Sequence, residues 1–133
     1  MGGTILTKGN YQFGLQQIGA DQLEFYIYTN KKEFIRAELP ENWIENWHHV
    51  AGIYDGKTMS LFINNKKVAE KPVTRNITNF PFPINVGRNA ETHGQHTSVY
   101  LCDAIIDQVG VFPKAIEIND LYASKPDLKK HAA

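Results

Sequence analysis

Gln12, Gln16, Glu24, Tyr26 and Tyr28 are side chains whose types and spacing could do chemistry together. Polar and apolar residues alternate over 11–17 and 22–28, and alternation in a strand sends every second side chain to the same face. Tyr11, Phe13 and Leu15 are therefore expected on one face, with Gln12, Gly14 and Gln16 opposite. Leu23, Phe25 and Ile27 are likewise expected to oppose Glu24, Tyr26 and Tyr28. Planar aromatics beside amides and a carboxylate suit saccharide recognition, because rings stack on C–H faces while the polar groups bond hydroxyls. The competing expectation is that a further strand or the opposite sheet covers these tyrosines. A second candidate saccharide site is the polar loop containing Asn89, His93 and His96, at the rim where loops would gather.

Hydrolytic chemistry fits poorly. Asp103 and Asp107 are the nearest approach to a catalytic carboxylate pair. On one unbroken strand they would lie roughly 13 Å apart. A retaining pair needs about 5 Å, and an inverting pair up to about 9.5 Å. His48 and His49 are adjacent on an expected strand, so they face opposite ways and cannot grip one metal; one is expected to pack or hydrogen-bond beside Trp47. His93 and His96 lack the further ligands a zinc site requires and otherwise read as solvated loop residues. No Gly-x-Ser-x-Gly nucleophile motif and no phosphate-binding glycine loop occurs. The expected catalytic and metal-ligating residues are none.

The elements that must position these residues are strands. Residues 47–65 read as a strand, a tight turn at Asp55-Gly56, a second strand, and a tight turn at Asn64-Asn65. Both turns hold residues that tolerate positive φ, as short hairpin loops demand. Further strands are expected at Tyr11–Gln17, Gln22–Tyr28, Phe34–Glu38, Lys66–Lys71, Ile84–Gly87 and, in two segments, Val99–Phe112. Pro72, Pro81 and Pro83 mark a crossing loop over 72–83, and 87–98 reads as a second polar loop. Ala115–Tyr122 is the helical candidate. Short strands separated by turn signals favour a two-sheet antiparallel sandwich of jelly-roll type.

The segment from Trp47 through Asn65 resembles the central signature of the laminin-G-like, concanavalin A-like lectin/glucanase superfamily. Thr4–Gly9, Ile84–Asn89 and Ile106–Ala115 resemble other strands of that family, in the family's order. The resemblance spans residues 4–123 as one domain, leaving 124–133 as a tail or linker. It implies an all-β sandwich. Enzymes on this scaffold place carboxylates in a Glu-x-Asp-x-x-Glu pattern, and no Glu-x-Asp occurs here. Relatives that bind calcium do so through loop oxygens; Asp55, Asn64, Asp103 and Asp107 could supply them, but no dense acidic loop is present. No cofactor is expected, with calcium the alternative. Family members usually carry an additional strand pair before Thr4. Its absence implies a piece of a longer protein with an unpaired edge that would invite a second copy.

A narrower similarity, over residues 8–17, 23–28 and 39–43, is to the laminin-G-like module of some bacterial family-two β-galactosidases. It implies a non-catalytic accessory domain of a larger extracellular or periplasmic glycoside hydrolase, binding carbohydrate or packing on the catalytic domain. The alternatives are a structural spacer and a calcium-dependent adhesion module.

Composition agrees with a folded domain. The 133 residues are 42% hydrophobic, with 14 basic and 14 acidic side chains. Such a length can bury a core. A balanced charge without a basic run argues against nucleic acid as the partner. No apolar run reaches the roughly 18 residues of a membrane span, and the first residues show no secretory pattern. Cys102 has no internal partner and reads as a buried thiol. Asn76-Ile77-Thr78 fits the glycosylation acceptor pattern, which matters only in a eukaryotic secreted chain.

Overall fold

The structure is a computed structural model that describes residues 3–79, 81, 83–87, 104–106, 109–112, 114, 115 and 117. The described strands are β1 (Gly3–Lys8), β2 (Phe13–Ile18), β3 (Gln22–Tyr28), β4 (Lys32–Glu38), β5 (Val50–Tyr54), β6 (Thr58–Ile63), β7 (Lys66–Pro72) and β8 (Asn85–Val86). They form two antiparallel sheets, a five-stranded one in the order β4-β3-β2-β1-β8 and a three-stranded one in the order β5-β6-β7. The expected all-β sandwich is what the chain adopts.

Alternation decides which face each sheet buries. Leu23, Phe25, Ile27 and Ile35 of the larger sheet meet Met59, Leu61 and Ile63 of the smaller one, with Val73 closing one end. Leu23, Ile27, Met59 and Leu61 are fully buried, and each such side chain contributes about 1.5–3 kcal/mol of transfer free energy. Phe25 is accommodated by Gly52 on β5, where a Cβ would lie 2.5 Å from the ring. At the sheet edges Lys71 of β7 reaches Glu33 of β4, Nζ to Oε1 3.0 Å, and this ion pair links the two layers.

The turns follow their residues. Asn64 and Asn65 both adopt positive φ, 52° and 66°, between the paired Ile63 and Lys66. That is the two-residue geometry of a primed turn. Gly56 takes φ 89°, and the Asp55 carboxylate accepts the N–H groups of Lys57 (2.8 Å) and Thr58 (2.7 Å). The turn is therefore centred on Gly56-Lys57, one residue later than expected, with Asp55 as the side chain that closes it.

Strand starts differ from the alternation. β4 begins at Lys32, two residues before the expected Phe34, β8 begins at Asn85 rather than Ile84, and two others begin later than expected. The strand expected from Tyr11 begins at Phe13, because Gly9 (φ 66°) opens a turn over 9–12. The strand expected from Trp47 begins at Val50. Ahead of it the Asn64 side chain replaces a ladder partner: its Oδ1 accepts the His49 N–H at 2.9 Å. Residues 104–106 and 109–112, within the strand expected over Val99–Phe112, are not in a strand, and 114, 115 and 117 are not helical. The remainder of those two elements, Cys102, Asp103, Asp107 and the tail at 124–133 lie outside the described residues.

Candidate functional site

The register of the five-stranded sheet builds the site row by row. Cα pairing sets Thr4, Gln16, Glu24 and Arg36 side by side across β1 to β4, and the next row is Thr7, Gly14, Tyr26 and Phe34. Residues directly opposite share a face, so these rows line the side away from the Leu23–Met59 core. A bulge at Ile5 keeps both Thr4 and Thr7 on that side despite their odd separation. Tyr28 pairs with Lys32 and its N–H donates to the Gln12 carbonyl at 2.9 Å, which adds a third row.

Glu24 is the electrostatic centre of this face. It is fully buried. Its Oε1 accepts from Gln16 Nε2 (2.8 Å) and Lys32 Nζ (2.8 Å), and its Oε2 from Arg36 Nε (2.7 Å). Burial alone would push the carboxyl up; the hydrogen bonds from Lys32, Gln16 and Arg36, with the Lys32 charge, outweigh it and hold the group below its ordinary range. Glu24 therefore stays ionised, and its oxygens are occupied within the sheet.

Tyr26 is also committed. Its ring lies over Gly14, and its hydroxyl donates to the Gly9 carbonyl at 2.9 Å. Only 2% of it is exposed. The Lys32 ammonium sits 5.1 Å from the Tyr26 ring centroid and 5.4 Å from that of Phe34, and the Arg36 guanidinium is 4.7 Å from the latter. Cations held over ring faces at these distances are attracted to them.

Beside this network runs an open groove of about 620 Å³. Among the described residues it is lined by Gly3, Asn10, Tyr11, Gln16, Gln17, Ile18, Gly19, Tyr26, Tyr28 and Lys32. Tyr11 and Tyr28 meet edge to face with centroids 5.1 Å apart. Their spacing is fixed by Thr78, whose N–H donates to the Tyr28 carbonyl at 2.9 Å and whose hydroxyl donates to the Tyr11 carbonyl.

Of the residues singled out in the sequence, Gln16, Glu24, Tyr26 and Tyr28 share one face as alternation required, and Gln12 lies in the turn at 9–12, ahead of the alternating strand. Gln16, Tyr26 and Tyr28 line the groove, whereas Gln12 accepts from Lys8 Nζ at 2.9 Å. Asn89, His93 and His96 lie outside the described residues. Alternation missed the other described groove residues, among them Asn10, Tyr11 and Lys32. Tyr11 had been assigned with Phe13 and Leu15 to the core face; the turn after Gly9 instead swings it to the Tyr28 side. Gly9-Asn10 is itself a turn signal and could have revealed this.

His48 lies at the other end of the domain from Thr78. It stacks on Trp43 at 4.9 Å and 26° between planes. Its Nε2 faces the Asn42 carbonyl (3.0 Å) and its Nδ1 faces the Asn64 amide (2.9 Å). Among the described residues no group of three or more His, Cys, Asp or Glu is placed to hold a metal. Asp55 and Asn64, two of the calcium-ligand candidates, bond backbone N–H groups in turns.

The chain belongs to the concanavalin A-like lectin/glucanases superfamily, whose family model matches residues 2–120. It is also similar in structure to residues 221–444 of an S-layer domain-containing protein from Clostridium thermocellum, with a TM-score of 0.47 and 18% identity. The match covers 91% of this chain and 62% of that one, so this chain spans less than two thirds of that structure. No curated protein matches the sequence. No helix among the described residues is long and apolar enough to cross a membrane.

Proposed function

We propose that this domain is a non-catalytic, carbohydrate-binding accessory module of a larger extracellular or periplasmic glycoside hydrolase, of β-galactosidase type. The observation that supports the reading is the groove in which Tyr11 and Tyr28 stand beside Asn10 and Gln16. Tyr11 is 47% exposed, enough ring to stack on a sugar, and the amides are the groups that bond hydroxyls. Membership of a lectin/glucanase superfamily agrees with it.

The non-catalytic part has its own support. Hydrolysis of a glycosidic bond needs one carboxyl that can hold and release a proton and a second one nearby. Glu24, the carboxylate beneath the groove, is enclosed, held ionised and bonded by three donors. No Asp or Glu is among the described groove-lining residues.

The test is titration of the domain with galactosides and a wider panel of neutral oligosaccharides. Tyr28→Ala and Tyr11→Ala are each expected to weaken binding about tenfold, the loss of one stacking ring. Silence across the panel would favour a spacer whose groove is an interdomain contact. A rise in Tm on adding calcium would favour the adhesion reading instead.

A further inference from the structure

We propose that the groove takes an acidic saccharide, one carrying a carboxylate, and that Lys32 receives that carboxylate at the Tyr28 end. This rests on the saccharide reading above and specifies its ligand class.

Lys32 is the charged side chain among the described groove-lining residues; Asn10, Tyr11, Gln16 and Tyr28 beside it are neutral. Its ammonium has three donors, and Glu24 Oε1 accepts from it at 2.8 Å. Glu24 is shared, because Arg36 Nε holds its other oxygen at 2.7 Å. One carboxylate thus faces two cations, and a positive charge is left over. Glu24 is fully buried and cannot present its negative charge to a ligand, whereas 41% of the Lys32 side chain is exposed.

Other carboxylates on β4 do not cancel this charge. Glu33 belongs to the opposite face, where it pairs with Lys71 at 3.0 Å. Glu38 shares the groove face but lies six residues along the strand from Lys32, about 20 Å at 3.3 Å per residue. That is more than two screening lengths of roughly 8 Å in physiological salt. A neutral sugar can set only hydroxyl and ring oxygens, and no charge, against the ammonium. A hexuronate would give it a charge-assisted hydrogen bond while its ring stacked on tyrosine.

The experiment compares tri-galacturonate with its methyl ester, which keeps the ring and removes the charge. The full chain is expected to bind the acid about tenfold more tightly, the increment of one charge-assisted bond. In Lys32→Gln, which can still donate to Glu24, the two affinities are expected to converge, the acid losing its roughly tenfold advantage over the ester. Far-ultraviolet circular dichroism and Tm confirm that this variant is folded. Equal binding of acid and ester by the wild type would overturn this inference and leave the saccharide reading standing. Binding of dextran sulfate as tight as that of the acid would also overturn it, by showing a general polyanion surface. Binding of neither tri-galacturonate, its ester nor any neutral oligosaccharide would overturn both.

Discussion

The Tyr26 ring packs against Gly14 on the neighbouring strand, so close that a Cβ on the glycine would fall 2.6 Å from the ring. The bare backbone at residue 14 and the bond from the Tyr26 hydroxyl to Gly9 O hold the tyrosine in one position. Gly14→Ala is expected to destabilise the domain by about 1–3 kcal/mol, the cost of overpacking a closed site. Tyr26→Phe should cost about 1 kcal/mol for the lost hydrogen bond. Urea unfolding of both single variants and the double variant checks this, and non-additivity is expected because the two residues touch.

Glu24 gives the domain an acid-side dependence. Its folded pKa lies below its ordinary value of 4.5 because the donors from Lys32, Gln16 and Arg36 outweigh burial. A depressed carboxylate stabilises the fold fully above the unfolded value and loses that contribution as pH falls through the folded one. Stability should therefore fall below about pH 4.5. Glu24→Gln is expected to be less stable at pH 7, by about 1–3 kcal/mol, and to lose part of the acid-side slope. Denaturant midpoints at pH 3, 4, 5 and 7 measure both effects.

Gly52 has the same relation to Phe25 across the two sheets that Gly14 has to Tyr26 within one. A Cβ there would lie 2.5 Å from the ring, in the core between the layers. Gly52→Ala is expected to cost about 1–3 kcal/mol. Phe25→Leu in the Gly52→Ala background should cost less than in the wild type, since the smaller side chain relieves the collision. Thermal unfolding of the four proteins measures the coupling.

Thr78 ties the turn at 9–12 to the end of β3 and so sets the distance between Tyr11 and Tyr28. Thr78→Val removes the hydroxyl and keeps the N–H bond to Tyr28 O. About 1 kcal/mol of stability should be lost. Saccharide binding should fall by a factor that Thr78→Ser, which restores the hydroxyl, recovers. Calorimetric titration alongside Tm distinguishes positioning from simple destabilisation.

Alternation by itself determined that Gln16, Glu24, Tyr26 and Tyr28 share a face and that Leu23, Phe25 and Ile27 oppose them, because successive strand side chains must point opposite ways. Residue chemistry likewise determined the Asn64-Asn65 turn, since few side chains other than those of Asn and Gly accept positive φ at both central positions. Only the tertiary structure decided what that polar face is used for. Gln16, Lys32 and Arg36 come from two other strands, eight to twelve residues from Glu24, and their closure on it depends on cross-strand register. Tyr26 looked available for a ligand until Gly14 and the Gly9 carbonyl were brought beneath it. Tyr11 moved from the core side to the groove because a single backbone reversal at Gly9 breaks the period that alternation assumes. A face can be read from a periodic chain; which groups on it are already bonded depends on neighbours that folding supplies.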